Sequence, residues 1–336
     1  MKPELTFGGV MNSLSFDKDG RDWPNRDSSR FIMAGGLRWH VQTMGEGPAM
    51  LLLHGTGAAT HSWRDLAPLL ARRYTIVAPD LPGHGFTQAP PLRELSIVGM
   101  AKLVAALLAK LGVRPAYAAG HSAGAAILCQ MTLDEAIAPN ILFSLNGALL
   151  PFEGIAGMIF SPIAKLLIFN PLISAPRLFS LLAADRDTVE RTLRNTGSSI
   201  DSRGVDLYAR LFRNRAHVKA TLAMMANWDL KTLAQNLPRL RTRLVLIAAE
   251  DDRAIPARDA FTLREKTPGA RAIVMRRGGH LLHEQDAAEV ARLMNEIVER
   301  EASAASAAAD VGCMGEAADR EEQADPAPPA ASERHA

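Results

Sequence analysis

Short apolar runs alternate with longer amphipathic stretches along most of the chain. Ala49 to Leu53, Tyr74 to Ala78, Ala116 to Ala119, Asn140 to Leu145, Leu244 to Ala248 and Ala272 to Met275 are short and nearly continuous in apolar residues. That is the pattern of strands buried on both faces. Between and after them, Ser62 to Leu70, Ile97 to Leu111, Ala123 to Leu133, Arg258 to Glu265 and Ala287 to Arg300 carry apolar residues at helical spacing. Ahead of all these, Arg30 to Met33 and Leu37 to Thr43 flank Ala34-Gly35-Gly36 and read as a hairpin. Strands alternating with helices predict an α/β fold, with a mostly parallel central sheet flanked by helices. Ligands in such folds gather at the carboxyl ends of the strands.

The alternation stops between Leu149 and about Pro238, where only helical and loop patterns occur, punctuated by Pro151, Pro162, Pro171 and Pro176. The predicted organisation is therefore an irregular arm (1–28), a first part of the core (29–150), an inserted helical cap (151–238), a second part of the core (239–300) and a tail (301–336). The tail holds Ala, Glu, Asp and Pro with little else that is apolar, so it is expected to be disordered.

Composition narrows the class. With 336 residues, 48% of them hydrophobic, the chain can build one large core with an insertion. A formal net charge of +2 provides no general field for nucleic acid. The two cysteines, Cys129 and Cys313, do not make a disulfide framework. Met1 to Gly20 has no apolar leader segment, and Glu153, Lys165 and Arg177 interrupt the most apolar region short of a membrane span. A cytoplasmic protein is expected, with at most peripheral contact with the inner membrane.

Chemistry concentrates at Tyr117-Ala118-Ala119-Gly120-His121-Ser122-Ala123-Gly124. A serine in G-x-S-x-G between a strand and a helix sits on a sharp turn that lifts its hydroxyl above the sheet. Serine needs a base, and the base needs an orienting acid. His280 follows the last strand in a Gly278-Gly279 turn and is the expected base, whereas His283 falls on the next helix. After the preceding strand come Glu250, Asp251 and Asp252; Asp252, four residues before Pro256, best suits a turn aimed at His280. The end of the strand before that holds Asn146, which cannot serve as the anion. The oxyanion donors expected are the backbone N–H groups of Ala123 and of Thr56, in the loop after Ala49 to Leu53. His84 and His121 read as structural, and His40, His61 and His217 as surface or packing residues. No metal site and no cofactor are expected: neither phosphate-binding glycine loop occurs, and no carboxylate or cysteine clusters with the histidines.

His54-Gly55-Thr56-Gly57, Asp80-Leu81-Pro82-Gly83-His84-Gly85, Gly120-His121-Ser122-Ala123-Gly124, Asp252 with Pro256, and Gly279-His280 occur in an order that resembles the α/β-hydrolase superfamily. The resemblance covers about residues 30 to 300 and implies serine, acid and histidine at Ser122, Asp252 and His280. A narrower likeness lies in Trp23-Pro24-Asn25-Arg26, Gly36-Leu37-Arg38-Trp39-His40-Val41, Gly57-Ala58-Ala59-Thr60-His61-Ser62-Trp63-Arg64, Ser144-Leu145-Asn146-Gly147-Ala148 and Met224-Met225-Ala226-Asn227-Trp228. These look like the BchO-type magnesium-chelatase accessory proteins, which implies a place in bacteriochlorophyll biosynthesis and chelatase subunits as partners.

Two functions follow as expectations. One is hydrolysis of an ester or related acyl bond in a small-molecule substrate. The other is a non-enzymatic scaffold that binds a tetrapyrrole or the chelatase subunits. The apolar stretch Gly154 to Leu182, followed by Arg191, Arg194, Arg210, Arg213 and Arg215, reads first as cap core beside a solvated face. It reads second as a groove for a tetrapyrrole or its ester.

Overall fold

A computed structural model describes residues 14–151 and 185–322. Eight strands form one sheet: β1 (Ser29–Ala34), β2 (Leu37–Met44), β3 (Ala49–Leu53), β4 (Thr75–Pro79), β5 (Tyr117–His121), β6 (Ile141–Leu145), β7 (Arg243–Ala249) and β8 (Arg271–Met275). Their spatial order is β1-β2-β4-β3-β5-β6-β7-β8. β2 pairs antiparallel with β1 and β4, and every pairing from β4 through to β8 is parallel. In the middle of the sheet Met50 to Leu53 and all of β6 are buried, which is why their sequences are apolar without alternation.

Among the described residues, helices alternate with strands along the core of the chain and fill the insertion. In chain order they are α1 (Phe16–Asp19), α2 (Leu66–Leu70), α3 (Ile97–Leu111), α4 (Ala123–Leu133), α5 (Arg186–Asn195), α6 (Ser202–Arg213), α7 (Arg215–Ala226), α8 (Leu230–Asn236), α9 (Arg258–Lys266), α10 (Leu282–Gln285) and α11 (Ala287–Glu322). Ser96 caps α3 by accepting from Gly99 N–H at 3.1 Å, and the helix stops at Gly112 with φ 66. Its buried positions Met100, Val104, Leu107 and Leu108 form one stripe at helical spacing. α4 is buried from Ala123 to Cys129, and its small residues let it lie close on the strands. A Cβ on Gly120 would stand 2.4 Å from Ala125 N, and one on Gly124 would stand 2.0 Å from Leu53 O.

Among the described residues four helices, α5 to α8, lie in the insertion between β6 and β7. Asp185, Asp201, Asn214 and Asp229 each accept backbone N–H bonds at the four starts, each cap worth about 1 kcal/mol. The stretch Gly154 to Leu182, expected as cap core or groove, lies outside the described residues. The predicted helix at Ser62 to Leu70 divides into a 3-10 turn at Thr60–Trp63 and the short α2. Asp80 explains the division, because its Oδ1 accepts from Thr60 N–H at 2.7 Å and fixes the turn there.

The arm before β1 is tighter than its polar sequence suggests. Trp23 is buried, its indole N–H donates to Thr60 Oγ1 at 2.9 Å, and its ring packs at 4.8 Å from that of Phe86. Phe16 lies against Phe31 and Phe86.

The described residues divide into two compact units, one ending at Ala291 and one beginning at Arg292. Helix α11 continues to Glu322, where the sequence reading ends it at Arg300 and expects disorder beyond. Alanine, which dominates 302–309, has the highest helix propensity of any residue, so the helix has no local reason to stop at Arg300. Among the described residues no helix is long and apolar enough to cross a membrane.

Candidate active site

Ser122 is the N-cap of α4 and holds φ 50 and ψ −114. A non-glycine residue in this region costs on the order of 1–3 kcal/mol, so its surroundings must impose it. They do so through the backbone. Ser122 N–H donates to Leu145 O at 3.1 Å, and Ser122 O accepts from Ala125 N–H at 3.2 Å and from Ala148 N–H at 3.1 Å. The elbow is thus pinned to β6 and to the turn beyond it.

His280 follows β8 in a turn entered through Gly278 at φ 107. Its Nδ1 donates to Asp252 Oδ2 at 2.8 Å. The other oxygen, Asp252 Oδ1, accepts from Ala254 N–H at 2.7 Å and Ile255 N–H at 2.9 Å. Three donors thus hold a carboxylate whose side chain is fully buried. Glu250 and Asp251 are exposed, so of the three adjacent carboxylates the structure brings Asp252 to the imidazole. The elbow and the histidine turn touch: His121 Nε2 donates to His280 O at 2.9 Å, and the two rings are 4.7 Å apart. Among the described residues no hydrogen bond joins Ser122 Oγ to the His280 ring, and such bonds often tighten only around substrate.

The loop after β3 closes against the same elbow. A Cβ on Gly55 would stand 2.7 Å from His121 Nδ1 and 3.1 Å from Ser122 Cβ, so only glycine allows this approach. Thr56 comes next, and Ala123 opens α4. Neither the Thr56 nor the Ala123 amide donates to another group among the described residues. His54, whose Nε2 accepts from Leu81 N–H, and His84, whose Nδ1 donates to Pro82 O, are buried in the loops behind. Burial lowers both imidazoles from their ordinary range and keeps them neutral.

Several residues to which the sequence assigns no role in the site hold this arrangement. Asn146, at φ 44, donates through Nδ2 to Gly279 O and His280 O, both at 2.9 Å, and accepts from Ala249 N–H at 2.8 Å. It ties the end of β7 to the histidine turn. From the insertion, Thr196 O accepts from Arg253 N–H at 3.1 Å and His280 N–H at 3.3 Å, bridging the acid and histidine turns. Ser198 Oγ accepts from Leu281 N–H at 2.9 Å.

Next to the turn lies a buried polar cluster. Glu284 accepts from Ser62 Oγ at 2.6 Å, from Tyr208 Oη at 2.7 Å and from Arg64. Burial pushes the Glu284 carboxyl above its ordinary value, against the pull of Arg64. Ser62 also accepts from His283 Nε2 at 2.9 Å. Since Tyr208 belongs to α6, this cluster joins the insertion to α10. In the sequence Ser62 and Arg64 fall within the Gly57 to Arg64 stretch of the narrower likeness, and nothing there links them to His283-Glu284.

Three of the five arginines expected as a solvated face or a cationic rim are engaged locally. Arg194 pairs with Glu190, Arg191 donates to Thr188, and Arg210 pairs with Asp22 of the arm. Cys129 is buried, which pushes its thiol up to about 12 and keeps it protonated. Among the described residues no group of three or more His, Cys, Asp or Glu side chains converges as a metal site would require.

Sheet order, elbow and turns agree with a sequence match to the alpha/beta hydrolase family over residues 50–293. The chain belongs to that family. Within it, the chain is 39% identical over 267 residues to the Magnesium-chelatase 30 kDa subunit of Rhodobacter capsulatus, covering 78% of this chain and 92% of that protein. It is 25% identical over 261 residues to the 2-hydroxy-6-oxo-6-phenylhexa-2,4-dienoate hydrolase of Burkholderia cepacia, covering 73% and 85% of the two chains. Among solved structures, an alpha/beta hydrolase fold protein from Burkholderia ambifaria superposes with a TM-score of 0.67 at 23% identity, over 80% of this chain and 97% of that one. That likeness carries the fold alone.

Proposed function

We propose that this alpha/beta hydrolase family member is a serine hydrolase of ester or related acyl bonds, and that it serves magnesium chelatase in bacteriochlorophyll biosynthesis. The observation that carries the chemical half is the His280–Asp252 hydrogen bond beside a strained Ser122. Ser122 Oγ attacks the acyl carbon while His280 Nε2 takes its proton, and the imidazolium then gives that proton to the leaving group. A water repeats the sequence on the acyl-enzyme and releases the acid. Asp252 fixes the imidazole tautomer and stabilises its charged form. The Thr56 and Ala123 amides receive the oxyanion, each worth roughly 3 kcal/mol of barrier.

The pathway half rests on the Rhodobacter capsulatus relative, whose name is that of a magnesium-chelatase subunit. The same relative favours a second reading, in which the fold is a scaffold for a tetrapyrrole or for chelatase subunits. Replacing Ser122 with Ala in the chromosomal gene separates the two. On the hydrolase reading both ester hydrolysis by the purified protein and pigment accumulation in the cell are lost. Normal pigment from a folded, inert variant sinks the catalytic reading of the pathway role and leaves the scaffold. Titration of magnesium protoporphyrin and its methyl ester checks the substrate class, and no saturable binding removes the tetrapyrrole.

A further inference from the structure

One buried histidine of the insertion reaches the Thr56 loop. His217 lies in the first turn of α7, where its own N–H donates to Asn214 Oδ1 at 3.0 Å, and it is 1% exposed. Gly85 N–H donates to its Nδ1 at 3.1 Å, so the ring proton sits on Nε2, which donates to Gly57 O at 3.1 Å. Burial pushes this imidazole down to about 4, so the ring keeps one proton and this polarity through the neutral range.

The two glycines belong to different loops, one after β3 and one after β4, and both have positive φ, 78 at Gly57 and 52 at Gly85. Glycine reaches such conformations freely but also leaves them freely, so partners must hold the shape. For the first loop the partners come from the insertion. Thr56 Oγ1 donates to Met224 Sδ of α7 at 3.7 Å. A Cβ on Gly57 would stand 3.3 Å from Phe212 of α6 and 3.5 Å from Thr221 of α7.

We infer that His217 is a positioning residue for the oxyanion donor: through Gly57 O, helix α7 holds residues 55–57 so that the Thr56 amide stays presented to the acyl oxygen. The insertion is then part of the catalytic frame as well as a cover over it. This rests on the reading of Thr56 as an oxyanion donor.

Two substitutions divide the ring's bonds. His217→Asn places an amide oxygen near the Nδ1 position and keeps the Gly85 contact, but it cannot reach Gly57. His217→Gln places an amide nitrogen near the Nε2 position and keeps the Gly57 bond. With a p-nitrophenyl ester as substrate and Ser122→Ala as background, H217N should lower kcat about 30-fold while KM stays within about threefold. H217Q should stay within about threefold of wild type on both constants. A folded H217N with wild-type kcat, or equal losses in both variants, overturns the inference. Should H217N fail to fold, H217Q decides alone, since a tenfold or larger loss of kcat in that variant contradicts the role. A wild type without Ser122-dependent turnover removes the hydrolase reading and this inference together, whereas normal turnover unchanged in H217N removes this inference only.

Discussion

The sheet core and the helical insertion hold the same site by different means. The core supplies groups at consecutive strand ends: Thr56 after β3, Ser122 after β5, Asn146 after β6, Asp252 after β7 and His280 after β8. Each sits in a short turn at the end of its strand. The insertion supplies single contacts from scattered places: Thr196 O, Ser198 Oγ, Tyr208 Oη and His217. The difference teaches that a strand-end site is assembled by topology, whereas its rigidity is contributed by residues with no common spacing.

If the core half carries the chemistry, its acid gives the largest effect. Asp252→Asn should lower kcat on an activated ester by about 10⁴-fold, as loss of the correct tautomer does in a serine triad. Asp251→Asn, at an exposed neighbour, should change it less than twofold. Comparable losses in both variants would show that the buried Asp252–His280 bond is not what matters.

Acid sensitivity tests the two halves together. His283, on the core's α10, and His217, in the insertion, are pushed down by burial to about 3 and about 4. An unfolded histidine takes a proton near pH 6.5, so below that the unfolded chain binds more protons and stability falls with pH. The loss runs from about pH 6.5 down to the folded values and amounts to roughly 2 kcal/mol per histidine at pH 5. Urea unfolding at pH 7 and pH 5 measures it. H217Q should remove about half of the loss due to this pair, and an unchanged slope would separate His217 from the acid response.

Smaller effects compare the fastenings. Asn146→Ala leaves two carbonyls without their donor and puts a β-carbon residue without an amide at φ 44. A cost of about 2–3 kcal/mol is expected by urea unfolding. Tyr208→Phe takes one of three donors from buried Glu284 and should cost about 1–2 kcal/mol. Equal costs would contradict the view that the core fastening at Asn146 dominates.

These contrasts also explain what was readable in the chain. The buried strands, the elbow at Ser122 and the turns at Asp252 and His280 announce themselves because period, glycine placement and chain order are local signals. Asn146 could be excluded as an anion, but its role as a tie between β7 and the histidine turn could not be read. That tie depends on an αL backbone and on three groups more than a hundred residues away in sequence. His217 looks like packing in isolation, since its partners Gly57 and Gly85 lie over a hundred residues upstream in the chain. The arm deceives in the other direction: Trp23 and Phe16 pack firmly although the residues around them are polar. Helix α11 runs past Arg300 because alanine favours helix even where no apolar stripe marks one.

The central claim is that Ser122 is an activated nucleophile. Incubating the purified full chain with a fluorophosphonate, then locating the adduct by peptide mass spectrometry, tests it directly. The account predicts one adduct per chain on the peptide containing Ser122, absent in Ser122→Ala and formed far more slowly in Asp252→Asn. A folded wild-type protein that acquires no adduct, or acquires it on another residue, contradicts it.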